Sequence, residues 1–196
     1  MKTKLCDKVY PFAEKAHQGQ IRRYTGEPYI LHPIFVAKLV ATSIQNMYVI
    51  CAALLHDVVE MTDITIDQIT AEFGPEVGNL VLELTDHTKP EDGNRAYRKE
   101  AERARLSGVS NEAKTIKLAD LIHNTKEILQ YDPKFSKVYL QEAKELLPVL
   151  EGGEESLHYI LSNIVEEYFA GRSDLFLKVL RGGKSNGTRP IQCCNM

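Results

Sequence analysis

Apolar residues recur along this chain at helical spacing, and no stretch shows the sustained alternation of a convincing strand pair. The pattern predicts a helix from about Lys4 to Gln18, with Pro11 inside it as a kink or a late start. Gly19 to Pro33 reads as a loop rich in turn residues. Pro33 fits the first turn of the next helix, where its missing N–H is not needed, and that helix runs to about Thr42. A third helix is expected from about Asn46 to Val59. Thr65 caps a short helix, with Asp67 and Gln68 in its opening turn. Gly74-Pro75 ends that helix and begins another, which reaches about Thr85. Beyond the turn-rich Lys89 to Asn94 come helices from about Arg95 to Leu106 and from about Asn111 to Leu129, the second capped by Ser110. Asp132-Pro133 opens a helix expected to end near Gly152-Gly153, and one or two more fill Glu155 to Leu180. From Gly182 the chain turns rich in Gly, Ser and Asn with few apolar residues, the pattern of a frayed tail.

No repeat or linker divides the helical part. A chain of 196 residues suits one compact domain, and one of this size buries about 70% of its unfolded surface. The net charge of −3 gives no reason to expect general binding to nucleic acid. Basic residues still gather locally, at Arg22-Arg23 and at Arg95, Arg98, Lys99, Arg103 and Arg105. They read either as solvated helix faces or as a mouth attracting an anionic substrate. No apolar stretch reaches the ~18 residues needed to cross a bilayer, so no membrane partner is expected. The first residues lack the apolar core of a secretory signal. Of the four cysteines, Cys51 sits in an apolar run and reads as an inert buried thiol. Cys6 stands alone near the start, and the adjacent Cys193-Cys194 is poorly spaced for a zinc site. A reduced, cytoplasmic setting fits this usage.

The candidate chemistry begins at His56-Asp57, which closes the apolar run Cys51-Ala52-Ala53-Leu54-Leu55. Buried charge is costly unless it is paired or bound to a metal. An imidazole and a carboxylate emerging together from a core element are therefore either a satisfied pair or two metal ligands. Two other segments set a His or an Asp among apolar neighbours: Tyr29-Ile30-Leu31-His32-Pro33 and Lys117-Leu118-Ala119-Asp120-Leu121-Ile122-His123-Asn124. Two histidines and two aspartates make a plausible closed set for one divalent ion, and such mixed ligands suit manganese, iron or zinc. His56 and Asp57 are about 100° apart on a helix, so both can face one ion only near a helix end. Asp120 and Asn124 are one helical turn apart and share a face, with Lys117 one turn earlier.

Three segments together resemble the HD-domain phosphohydrolases, and among them the small, hydrolase-only alarmone hydrolases of the RelA/SpoT-homologue family. The first is Gly19-Gln20-Ile21-Arg22-Arg23-Tyr24-Thr25-Gly26-Glu27-Pro28-Tyr29-Ile30-Leu31-His32-Pro33. The second is Ala52-Ala53-Leu54-Leu55-His56-Asp57-Val58-Val59-Glu60, and the third is Lys117 to Asn124. The resemblance spans most of Gly19 to Glu127 and is loose from about Tyr131 onward. It implies a single HD-domain helical bundle, in line with the all-α pattern; composition sets the domain at residues 1–181 and a flexible tail at 182–196. It assigns a metal, usually manganese, to His32, His56, Asp57 and Asp120, and the role of general acid/base to Glu60. It also implies contacts with a nucleotide substrate from Arg22, Arg23 and Asn124. The implied reaction of the stringent response cuts the bond between the pyrophosphate and the 3′-oxygen of guanosine tetra- or pentaphosphate.

At one position the chain departs from the family. Glu-Asp usually follows His-Asp-x-x, and here Glu60-Met61 stands in its place. Methionine cannot transfer a proton, and the loss of a general acid/base group costs about 10²–10⁴ in rate. Glu60 acting alone, Asp63 as a substitute, or a binder with little turnover are the three readings left open. The expectation is an active fold with impaired or altered catalysis. Two other functions compete: a nucleotide phosphatase of different specificity, acting for instance on NADPH, and a non-catalytic nucleotide-binding homologue. Tyr29 reads as packing. His17, His87 and His158 read as ordinary histidines, and His123 as a residue behind the ligands at most.

Overall fold

The computed structural model describes residues 3–172. The expected domain end at 181, the tail 182–196 and Cys193-Cys194 lie outside the described residues. The described residues are α-helical, joined by turns and one isolated antiparallel bridge between Ile21 and Pro28.

Helix α1 spans Thr3–Ala16, and Pro11 lies inside it without ending it. Helix α2 spans Leu31–Ala41 and begins earlier than the sequence pattern implied. Ile30 already has helical dihedrals, so Pro33 falls within the first turn and His32 belongs to a helix rather than to the loop. The helix expected from Asn46 to Val59 is two helices, α3 at Met47–Leu55 and α4 at Val58–Met61. Asn46 caps α3 by accepting the Tyr48 N–H. The break falls at His56 and Asp57, so a change of backbone direction aims both side chains at one place.

Helix α5 spans Ile66–Phe73 and opens with a capping box between Thr65 and Gln68. Helix α6 spans Pro75–Leu84. These two helices approach closely at Gly78, where a Cβ would stand 3.0 Å from Thr70 Cβ and 3.2 Å from its Cα. A single 3₁₀ turn at Pro90–Asp92 interrupts the next loop. Helix α7 spans Arg95–Leu106 and α8 spans Asn111–Tyr131, the latter capped by Ser110, which accepts the Ala113 N–H.

Helix α9 spans Pro133–Leu146 and stops before the Gly152-Gly153 end expected for it. Tertiary bonds hold the turn that follows. His158 Nε2 meets Leu147 O at 2.9 Å, and Lys114 donates to Glu151 O at 3.0 Å. Helix α10 spans Glu155–Phe169 and packs on α8 and α9.

The core gathers Val36, Val40, Leu55, Val58, Ile116 and Leu118, all essentially inaccessible to solvent. α2, α3 and α8 meet there. Cys51 is buried in the same core. Those three helices carry His32, His56 and Asp120, so the packing that closes the core also gathers the polar side chains.

Candidate functional site

His32 is buried on the first turn of α2, His56 is buried at the end of α3, and Asp120 is buried in the middle of α8. His32 Nε2 lies 3.4 Å from Asp57 Oδ2 and 3.2 Å from Asp120 Oδ1. His56 Nε2 lies 3.3 Å from Asp57 Oδ2 and 3.9 Å from Asp120 Oδ1. The ligand atoms of His32, His56 and Asp57 all fall within 4.8 Å of one another.

Each of these side chains is held from behind. His56 Nδ1 donates to Ala53 O at 2.8 Å, which turns Nε2 toward the carboxylates. That Nε2 is buried and has no hydrogen-bond partner among the described residues. A buried nitrogen lone pair facing two carboxylates fits a divalent cation, which would satisfy it. Tyr29 donates its hydroxyl to Asp57 Oδ2 at 2.6 Å. Burial, followed by the charge on Asp57, pushes the Tyr29 phenol pKa well up, so it stays a donor. Tyr29 therefore orients a carboxylate instead of merely packing. The sequence carried no sign of this, because a ring among apolar neighbours looks the same in either role.

Burial opposes the ionisation of Asp120, but Lys117 and then the neighbouring His32 hold its carboxyl well below the usual range. Lys117 Nζ sits 3.2 Å from Asp120 Oδ2 and 3.1 Å from Glu102 Oε1. Asn124 donates to Asp120 Oδ1 at 2.6 Å and accepts from Arg22 at 2.8 Å. Arg22 also pairs with Glu127 Oε2 at 2.8 Å. The structure thus gives Arg22 a set of partners inside the protein. Arg23, its neighbour, is exposed and lies over the Tyr24 ring at 5.4 Å.

His123 stacks on Phe35 with ring centres 4.1 Å apart, and its Nδ1 lies 2.7 Å from His32 Nδ1. Burial, then the neighbouring His32, lowers its pKa to about 3, so it is a neutral ring. His17 is also buried, and its Nδ1 meets Gln20 Oε1 at 2.8 Å. Gln20 in turn donates to the Met61 carbonyl at 2.7 Å.

Glu60 stands at the rim beside the segment 85–89. Its Oε1 accepts the Asp86 N–H at 2.5 Å. Burial raises its carboxyl pKa, opposed by the Asp86 hydrogen bond and by Lys117. Asp63 is exposed and lies past the end of α4. Three of the basic residues on α7 are paired with acidic side chains. Arg95 pairs with Glu142 at 2.6 Å, Lys99 with Glu102 at 2.5 Å, and Arg103 with Glu145 at 2.6 Å.

The match to the HD-domain family covers residues 10–146. This chain belongs to the HD-domain family. Among its HD-domain relatives is the mouse (Mus musculus) guanosine-3′,5′-bis(diphosphate) 3′-pyrophosphohydrolase MESH1. It is 37% identical over 165 residues, covering 80% of this chain and 90% of the mouse protein. The human (Homo sapiens) protein of the same name is 34% identical over the same shares. The fold is similar to a solved structure described as a metazoan ortholog of SpoT that hydrolyzes ppGpp. The TM-score is 0.75 and the identity 30%, over 86% of this chain and 96% of that one. HD-domain proteins depend on a divalent metal, and the donor set described above is of the right kind to hold one.

Proposed function

We propose that this chain hydrolyses the 3′-pyrophosphate of guanosine tetra- and pentaphosphate in the cytoplasm. We further propose that manganese is its metal, held by His32, His56, Asp57 and Asp120. The observation that carries this reading is the approach of two imidazoles to two carboxylates, between 3.2 and 3.9 Å, on three separate helices. It occurs in a chain similar over most of its length to proteins named for that reaction.

A divalent ion held by His32, His56, Asp57 and Asp120 would acidify a water and offset negative charge on the phosphoryl oxygens. Glu60 has one oxygen committed to the Asp86 amide, which leaves the other to take the water's proton. Burial raises its carboxyl pKa, which makes it a stronger base than an exposed carboxylate. The water oxygen bonds to the phosphorus attached to O3′, and the bond from that phosphorus to O3′ breaks. Pyrophosphate leaves, and the nucleotide keeps its 5′-phosphates and regains a 3′-hydroxyl. Arg23 is an exposed guanidinium, suited to grip phosphate or stack on a base. Asn124 reaches the ligand next to Asp120, and Arg22 holds Asn124 in register.

The test is product analysis with purified chain, manganese and a panel of phosphorylated nucleotides. Pyrophosphate released from guanosine tetraphosphate, lost on chelation and regained on adding metal, is the expected result. Orthophosphate released from NADPH alone would overturn it in favour of a phosphatase. Nucleotide binding with no product after long incubation would overturn it in favour of a binder.

A further inference from the structure

We propose that His87 is a second proton-transfer residue of this site, serving where Met61 has no group to offer. The proposal rests on the hydrolase reading above and deepens it. Met61 ends α4 with 44% of its surface exposed, and its carbonyl is tied to Gln20. Its side chain carries no proton to exchange.

The segment that follows α6 supplies what position 61 lacks. Val59, Glu60, Thr85, Asp86, His87 and Lys89 line one cleft of about 370 Å³. That volume lies within the range of small-molecule sites. The segment is fastened to Glu60 by the Asp86 N–H at 2.5 Å, so His87 and Glu60 border the same space. Asp57 stands at the N-cap position of α4 and Glu60 lies in its first turn, so this cleft begins about one helical turn from a candidate metal ligand.

The other groups in the cleft are less suited to the task. Glu60 already has a part in the reaction. Asp86 turns its carboxylate back on its own loop and accepts the Thr88 N–H at 2.9 Å. Asp63 does not line the cleft. His87 is exposed, and no hydrogen bond or ion pair ties its ring among the described residues. Imidazole is the side chain best matched to giving up a proton near neutral pH.

The step balances as follows. Glu60 takes one proton from the attacking water, whose oxygen bonds to phosphorus. The bond from phosphorus to O3′ breaks, and its electron pair stays on O3′. Protonated His87 gives its N–H proton to that oxygen, so the nucleotide departs with a neutral 3′-hydroxyl. Solvent then returns a proton to His87 and removes one from Glu60.

The experiment measures kcat and KM for pyrophosphate release from guanosine tetraphosphate with manganese. It compares wild type, His87→Ala, Met61→Asp and the double variant, each checked for helix content and manganese binding. His87→Ala is expected to lose about 10²-fold in kcat with KM within about twofold. Free imidazole is expected to restore part of the loss, and Met61→Asp is expected to restore it in the His87→Ala background. A His87→Ala kcat within about threefold of wild type overturns the role. So does a change confined to KM, or a loss that neither imidazole nor Met61→Asp recovers. A wild-type chain that releases no pyrophosphate overturns the hydrolase reading and this inference with it. Active wild type with an indifferent His87→Ala overturns this inference alone.

Discussion

His32 and His123 meet nitrogen to nitrogen, Nδ1 to Nδ1, at 2.7 Å across the contact between α2 and α8. For His32 Nε2 to offer a lone pair to a cation, the ring proton must sit on Nδ1, and His123 must accept it. His123 thereby selects the tautomer of a candidate ligand. Replacing it by Phe keeps a ring against Phe35 and removes the acceptor. His123→Phe is expected to weaken manganese affinity about 10–100-fold with helix content unchanged. Metal titration followed by the spectroscopic signal of free manganese checks this, and an unchanged affinity would count against the tautomer role.

The neighbours Arg22 and Arg23 should separate cleanly by experiment. Arg22 is largely enclosed and shares Glu127 and Asn124. Glu127→Ala leaves that guanidinium without its countercharge and is expected to cost about 3–5 kcal/mol of stability. Arg23→Ala removes an exposed side chain and is expected to leave stability within about 0.5 kcal/mol. It should raise KM about tenfold, the scale of one charge-assisted hydrogen bond. Denaturant melts and steady-state kinetics on the two variants check the contrast.

Glu102 gives the fold a pH dependence with a definite sign. It is 3% exposed. Burial alone would raise its carboxyl pKa, but Lys117 and Lys99 bring it down to about 2. A depressed folded-state pKa contributes stability above the unfolded value near 4.5 and loses it as pH falls toward 2. The contribution is about 3 kcal/mol at neutral pH. Glu102→Gln is expected to be destabilised by that order at pH 7 and by much less at pH 3. Urea melts at the two pH values read the difference directly.

α5 and α6 approach closely at Gly78. A methyl group there would press on the Thr70 side chain and approach its backbone at 3.2 Å. Gly78→Ala raises helix propensity, yet it is expected to destabilise by about 1–3 kcal/mol because the pair must separate. A thermal melt checks it, and a stabilised variant would show that the two helices yield freely.

The helical architecture was legible because its devices are local. Thr65 with Gln68, Ser110, and Pro75 after Gly74 mark helix starts by chemistry that acts within four residues. The end of α9 was not legible, since the bonds to Leu147 O and Glu151 O come from His158 and Lys114 on other helices. The same limit applies to the site. His32, His56, Asp57 and Asp120 were singled out by polar groups set in apolar runs, together with the family resemblance. The roles of Tyr29 and His123 depend on atoms brought from 28 and 91 positions away. The internal pairing of Arg22 escaped notice for the same reason, because Glu127 is 105 residues distant.

Lys117, Asp120, His123, Asn124 and Glu127 all ride on α8, a single helix of 21 residues. A helix moves as a rod, so a shift of α8 displaces all of these groups together. The start of that rod is pinned by Lys114 to the turn before α10, and Thr115 there accepts the Glu154 N–H at 2.9 Å. Substitutions in that distant turn therefore act as a lever on the whole ladder of charges. Variation in activity among related chains should be sought there as well as in the cavity.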